Sequence, residues 1–458
     1  MVRKGHKGEF MRISYWTGAL ALTGMAATAH ATNGMNMEAW GAKSGGMGGA
    51  AFAMDAGNSA LMGNPATLGL KPAGKSDLGL GLTLLMPDVK ASAGPVSVDS
   101  DGTAYWMPTI SYIRRQGDLA YGVGLLAQGG MGTEYGVGSP LFAMGFASDG
   151  SMQSMSGEEV RSEVGFGRIM FPLAWNVRPD LVLAGQLDLV WGSMDLQMDM
   201  DGQSLAGMMG AGLVSGSMPL PSPVTNRYDY ARFDFSDNNP MTGQAKSYGW
   251  GYKLGGLWRV NEKLNLGATY HAKTRMGDMT ANGATMTASA DFGTIAMPGK
   301  IKVLDFQWPE VFGLGMAYDS GSKWSMAADL KRIRWSDAMK DFTLRFANAG
   351  GDLTVTMPQN WKDQTVLALG VQYKLSPDIA LRAGYNHASN PVPDATLNPL
   401  FPAIIETHYT FGVGYRIDPA RTLAGSIALA PEVSQTSAQG VTSKHSQITL
   451  RVNYNYSF

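Results

Sequence analysis

Four histidines stand beyond the leading segment, His271, His387, His408 and His445, and the pair of His387 with Ser389 is the one to weigh for nucleophilic chemistry. A Ser–His pair performs acyl transfer when the imidazole takes the hydroxyl proton. No Gly-x-Ser-x-Gly elbow accompanies this pair, which reads as a loop boundary. Asp195, Asp199 and Asp201 precede Gly202 and offer carboxylates to calcium, but their spacing is not that of a calcium loop, so solvation accounts for them. Gly45-Gly46-Met47-Gly48-Gly49 faintly resembles a phosphate cradle, without the Lys-Ser/Thr or the preceding strand that such a cradle needs. Cysteine is absent, which removes thiolate catalysis, disulfides and cysteine-metal sites. The expectation is a protein that is not an enzyme and uses no cofactor and no metal.

The chain's regular feature lies elsewhere. Ile448 to Phe458 alternate apolar and polar residues without a break, and successive strand side chains point to opposite faces. Such a strand, closing on an aromatic, reads as the last strand of an outer-membrane barrel. Leu181, Leu183, Leu187, Leu189 and Trp191 share one face of another segment, with Gln186 and Asp188 on the other. Trp250 to Val260, Leu367 to Leu375, Ile379 to Tyr385 and Tyr409 to Ile417 repeat the pattern.

Short turn clusters punctuate these segments: Gln116-Gly117-Asp118, Arg178-Pro179-Asp180, Asn261-Glu262-Lys263, Asp319 to Lys323, Ser376-Pro377-Asp378 and Asp418-Pro419-Ala420. Between them lie longer polar or Gly-rich stretches, the short-turn and long-loop asymmetry of such barrels. The count predicts an all-β transmembrane barrel of about 14 antiparallel strands.

Composition agrees. Of 458 residues 45% are hydrophobic, the net charge is −1, and no basic block suggests nucleic acid. Glycine is abundant at 59, as where strands bend and backbones approach; methionine, at 30, suits varied apolar ligands as well as plain packing. Arg3, Lys4, Lys7 and Arg12 precede an apolar run to Ala27 and the small residues Ala29-His30-Ala31, predicting a signal peptide over 1–31. Residues 32–75 do not alternate; they are small-residue-rich and compact enough to fill a lumen. The predicted division is therefore leader 1–31, plug 32–75 and barrel 76–458.

Four blocks in order carry a family resemblance: the Gly/Ala-rich segment ending in Asn64-Pro65-Ala66, Trp308-Pro309-Glu310 with Gly313-Leu314-Gly315, Trp324 through Trp335-Ser336, and Trp361-Lys362-Asp363 running on to Arg382-Ala383-Gly384-Tyr385 and Ser389 to Asp394. Across nearly the whole mature chain they resemble the FadL/TodX family of outer-membrane transporters for hydrophobic compounds. The resemblance implies a 14-stranded barrel, a hatch in the lumen, and sideways release of cargo through a gap made by a kink in the third strand. It further implies that Asn64, Pro65 and Ala66 position the hatch, and that Gly122, Gly124, Gly129 and Gly130 permit the kink near Leu119 to Gln128.

The oddly apolar Leu205, Met208, Met209, Leu213 and Val214 read as a capture loop, because exposed apolar patches mark contacts. Where fatty-acid transporters of the family carry a Lys and an Arg for the carboxylate, this chain has Met357 and either Ser193 or Met198, which are candidate pocket residues for neutral cargo. Lys253, Lys331 or Arg382 can serve a carboxylate instead, or pair with Asp188 or Asp329. The expectation is passive uptake of long-chain fatty acids or related apolar compounds across the outer membrane of a Gram-negative bacterium. Neutral aromatic hydrocarbons are the alternative cargo, and a polar porin or an outer-membrane lipase are rival readings. Expected partners are the hydrophobic ligand, membrane lipid and lipopolysaccharide, and the assembly machinery through the strand ending at Phe458.

Overall fold

A computed structural model describes residues 33–219, 226–237 and 243–458; the expected signal peptide lies outside them. The sheet begins with β1 (Ser76–Ala93), which pairs antiparallel with β2 (Tyr105–Gln116), followed by β3 (Leu119–Tyr135), β4 (Val160–Arg178) and β5 (Leu181–Asp201). Pairing continues in chain order through Ala245–Arg259, Leu264–His271, Val311–Asp319 and Trp324–Ile333. It then passes through Gln364–Lys374, Ile379–Ala388, Thr407–Arg416 and Arg421–Thr436 to Thr442–Ser457. That closing strand pairs with β1 from Asp77↔Ser457 to Ser92↔Thr442, so the sheet closes into a ring. Closure pairs each strand of the ring with a neighbour on both sides over at least part of its length, as a strand structure in lipid requires.

All six turn clusters join neighbouring strands of this ring. The alternation sorts as expected: Leu183, Leu187 and Leu189 are exposed on the outer face while Gln186 and Asp188 are buried inside. On the closing strand Ile448, Leu450, Val452 and Phe458 face out and Thr449 and Arg451 face in. Burying large apolar groups is worth ~1.5–3 kcal/mol each, so a belt of this kind is stable only against lipid.

The long loops are not simply solvated. Tyr228–Phe235, Met279–Ala290, Gly293–Leu304, Asp341–Asn348 and Gly351–Pro358 extend the sheet beyond the ring as paired hairpins. Their inner faces join Phe166, Trp308, Trp335 and Trp361 in one apolar cluster.

Residues 33–75 contain only short helical turns, Ala42–Gly45, Gly57–Leu61 and Pro65–Leu70, and pack inside the ring. Their glycines serve close approach rather than phosphate. A Cβ on Gly48 would meet the Tyr385 carbonyl at 2.5 Å, and one on Gly384 would meet the Gly48 amide nitrogen at 2.1 Å. Wall side chains take up the segment's backbone polar groups, whose burial without partners would cost ~1–3 kcal/mol each. Asp329 Oδ2 accepts from the Ala51 and Phe52 amides at 2.7 and 3.0 Å, and Asn386 donates to the Gly48 carbonyl at 2.9 Å.

Candidate functional site

The wall is incomplete at one place. β2 pairs with β3 only from Ile110↔Leu125 to Gln116↔Leu119, although β2 pairs with β1 as far as Tyr105. From Leu126 onward β3 pairs only with β4, so Tyr105 to Thr109 have no ladder partner on that side. The register of β3 against β4 shifts between Ala127 and Gly129, which marks a β-bulge at Gln128. β3 does not end there; it runs on to Tyr135, bent into the lumen.

The leading segment and the lumen hold the bulge. Gly129 bridges Asn36, the Gly130 amide donates to the Met35 carbonyl at 3.1 Å, and Trp40 Nε1 donates to the Gln128 carbonyl at 3.1 Å. A Cβ on Gly129 would sit 2.3 Å from the Met35 carbonyl oxygen, so only glycine admits this approach. Arg168 Nε donates to Gln128 Oε1 at 2.5 Å and its Nη1 to Asp188 Oδ2 at 2.8 Å. Lys253 Nζ reaches the same Asp188 oxygen at 2.7 Å and the Leu61 carbonyl at 2.9 Å. One buried carboxylate therefore links bulge, wall and inner segment.

Bending β3 inward makes the outer face of β3–β5 overlap the inner face of β1–β2. A cavity of about 250 Å3 fills the overlap. Leu85, Tyr105 and Met107 line it from one side, Gly130, Gly165, Phe166 and Trp191 from the other, and Gly34 from the inner segment. Its polar lining comes mainly from Glu163, Ser193, His445 and Gln447, and no Lys or Arg lines it. Trp106 and Leu125, 54% and 37% exposed, stand at the lipid side. A molecule held in the overlap would touch inner-face residues on one side and lipid-side residues on the other. A larger cavity, about 670 Å3, lies at the turn-side mouth and is lined by Lys43, Asp55, Lys71, Asp77, Arg382 and Arg416, an environment for water rather than oil.

The expected residues distribute unevenly around this site. Gly129 and Gly130 are at the bulge, whereas Gly122 and Gly124 lie before it in the regular ladder, packed on the Tyr112 carbonyl and Leu61. Asn64, Pro65 and Ala66 are buried but do not line the opening. Asn64 caps the turn of Pro65–Leu70 by accepting from the Ala66 amide at 3.0 Å and donates to the Phe52 and Gly256 carbonyls at 2.7 and 3.0 Å. The segment's residues at the opening are Gly34, Met35 and Asn36 instead, for which the Asn33-Gly34 turn dipeptide was the available sign.

The apolar loop is packed rather than open. Gly202–Gly210 is helical, Leu205 is buried against Tyr228, Ala231 and Ala290, Met209 and Val214 rest on that cluster, and Met208 and Val214 meet the main one. Leu213 is half-buried just before Val214 pairs with Val355. Met198 and Met357 belong to the aromatic cluster and do not line the cavity, while Ser193 does. Lys253 pairs with Asp188 as expected; Arg382 instead donates to Gln372 at 2.8 Å, and Lys331 to the Glu38 carbonyl at 3.4 Å. His387 meets Thr407 at 3.0 Å and the Ser389 hydroxyl accepts from the Thr365 amide, so they form no acylating pair. Asp195, Asp199 and Asp201 bind Ser236, Arg232 and Ser204 separately, and no group of three metal-ligating side chains occurs among the described residues.

Comparison with known proteins turns on this architecture. The model of the outer membrane protein transport protein family (OMPP1/FadL/TodX) matches residues 19–458. This chain belongs to that family. The toluene transporter TodX of Pseudomonas putida superposes with a TM-score of 0.81 at 30% identity, covering 92% of this chain and 99% of TodX. The toluene transporter TbuX of Ralstonia pickettii gives 0.76 at 30% identity, over 92% and 99%. The 47 kDa outer membrane protein of Pasteurella multocida is 23% identical over 225 residues, 47% of this chain and 52% of the relative. The chain spans about half the length of the first curated relatives it matches. The family is described as outer membrane transport proteins, and the closed barrel of this chain agrees with that membership.

At the inner segment's far side Glu38 is fully buried, with Arg451 donating to it at 2.5 Å. Burial alone would raise its carboxyl, but the guanidinium beside it holds it below the ordinary value. Asn64→Ala removes the partner of two buried carbonyls and one amide at ~1–3 kcal/mol each. The expected outcome is an intact barrel with a loosened inner segment, read as higher ion conductance in planar bilayers. Conductance equal to wild type would mean that Asn64 does not secure it.

Proposed function

We propose that this chain takes up small neutral apolar molecules, with monoaromatic hydrocarbons as the representative cargo, and releases them sideways into the membrane between β2 and β3. The observation that carries this reading is the cavity in the overlap, apolar and aromatic over most of its lining and without a Lys or Arg to hold a carboxylate. Its volume of about 250 Å3 suits a single ring, given that an engineered cavity of ~150 Å3 binds benzene. The relatives at 30% identity are named as toluene transporters, which favours the aromatic alternative over the fatty-acid expectation. We read the wall as fourteen strands, with the additional hairpins of the 22-stranded sheet standing outside the membrane. Residues 33–75 act as the hatch, and Met35 and Asn36, gripping the bulge, are its moving end.

The test is accumulation of radiolabelled toluene and oleate in a Gram-negative host lacking its own transporters of this family. Expression should raise initial toluene accumulation several-fold and leave oleate at background. Oleate uptake matching or exceeding that of toluene would restore the fatty-acid reading, and passage of sugars or ions alone would favour a porin.

A further inference from the structure

The cavity's lining includes one carboxylate, Glu163, and that residue is poorly placed for packing alone. It sits on the outer face of β4, opposite Gly132 on β3 and Asp195 on β5. Its side chain is 17% exposed and takes one salt bridge, from Arg161 Nη2 at 2.8 Å. Arg161 lies opposite Glu134 on β3, with Glu159 beside them, while the nearby Arg232 pairs with Asp199 and Asp234, so carboxylates outnumber guanidiniums in this patch. Asp195 is satisfied by Ser236 Oγ at 3.0 Å and the Gln244 amide at 2.6 Å, and contributes its charge without facing the cavity. His445, on the facing wall, is engaged with the Pro402 carbonyl at 3.0 Å.

We propose that Glu163 is a specificity-determining residue, a charge filter that keeps anionic amphiphiles out of the lateral opening while neutral apolar molecules pass. A carboxylate entering the overlap would face a net negative patch in a setting where water screens little. It would also forfeit its own hydration without a donor of opposite charge to replace it. A neutral ring of the same size meets neither penalty. Arg161 acts through Glu163 by holding the carboxylate in place and neutralising part of it. Specificity of this kind rests on a repulsive element against the wrong ligand as much as on contacts to the right one.

The inference rests on the lateral release of neutral cargo proposed above, and paired probes separate the two. Toluene and 4-methylbenzoate share a ring and a methyl group and differ in the carboxylate. In the host described, Glu163→Gln should raise the ratio of 4-methylbenzoate to toluene uptake by roughly tenfold, equivalent to about 1.4 kcal/mol. Glu163→Asp should keep the wild-type ratio, and Arg161→Gln should lower it. A Glu163→Gln ratio within about twofold of wild type would overturn the filter. If Glu163→Gln fails to assemble, the Arg161→Gln ratio decides, and a ratio at or above wild type overturns the proposal. Wild-type protein that carries no toluene would instead remove the functional reading itself.

Discussion

Gly165→Phe should lower toluene uptake by at least about tenfold while the barrel assembles normally, the loss expected if about 1.4 kcal/mol or more is added to passage. Gly165 lies on β4 opposite Gly130 and Ser193 and lines the cavity in the overlap. A Cβ built there has no atom within 4 Å, so a side chain enters open space without disturbing the ladder. The added ring is the size of the proposed cargo and would take the place of a single ring in a cavity of about 250 Å3. Gly185 on β5 also has open space at its Cβ but does not line the cavity, so Gly185→Phe serves as the control. Uptake should be measured against the amount of folded protein in the outer membrane. Equal uptake by both variants would mean that cargo does not leave through this overlap.

Asp188→Ala should destabilise the folded chain by about 3–5 kcal/mol, the usual consequence of removing one member of a buried ion pair. Asp188 is fully buried and accepts from Arg168, Lys253 and Gln186 at 2.8, 2.7 and 2.7 Å. Its loss leaves two cations in the lumen with no carboxylate beside them. Pairing the change with Lys253→Met should recover part of the loss, because one stranded charge is then gone. Urea unfolding in lipid vesicles, followed by tryptophan fluorescence, checks this. A single-variant change under about 1 kcal/mol would show that water or other partners readily replace the carboxylate. Because Arg168 also holds Gln128, the variant should slacken the bulge and with it the wall opening.

Much of this was legible in the chain because strand alternation is a local property. Each turn cluster, from Gln116-Gly117-Asp118 to Asp418-Pro419-Ala420, lies where two paired strands meet. The hairpin of Met279–Leu304 was hard to read, since its inward face is largely alanine and methionine, whereas Asp341–Pro358 alternates plainly, with Phe342, Leu344, Phe346, Leu353 and Val355 turned inward. The tryptophans of the resemblance blocks read as separate markers. Folding packs them edge to face, Trp308 against Trp335 at 5.9 Å and Trp335 against Trp361 at 5.3 Å. A Cβ on Gly34 would meet Trp335 at 2.8 Å, so the inner segment's tip rests on that cluster. The apolarity of the Leu205 loop records what must be buried, not whether the partner is cargo or the protein itself.

What the amino-acid order determined alone was a membrane wall: which residues meet lipid, where the chain turns, and that a compact segment precedes the first strand. Period-two alternation and turn chemistry need only neighbouring residues, so they survive in one dimension. Where the wall opens was decided by tertiary structure. Gly129 and Gly130 permit a bulge, but Met35, Asn36, Trp40 and Arg168, from distant parts of the chain, hold it there. Placing Gly165 and Glu163 across from Tyr105 likewise requires β3 to bend inward first, because a wall with unbroken β2–β3 pairing would turn the outer face of β4 toward lipid.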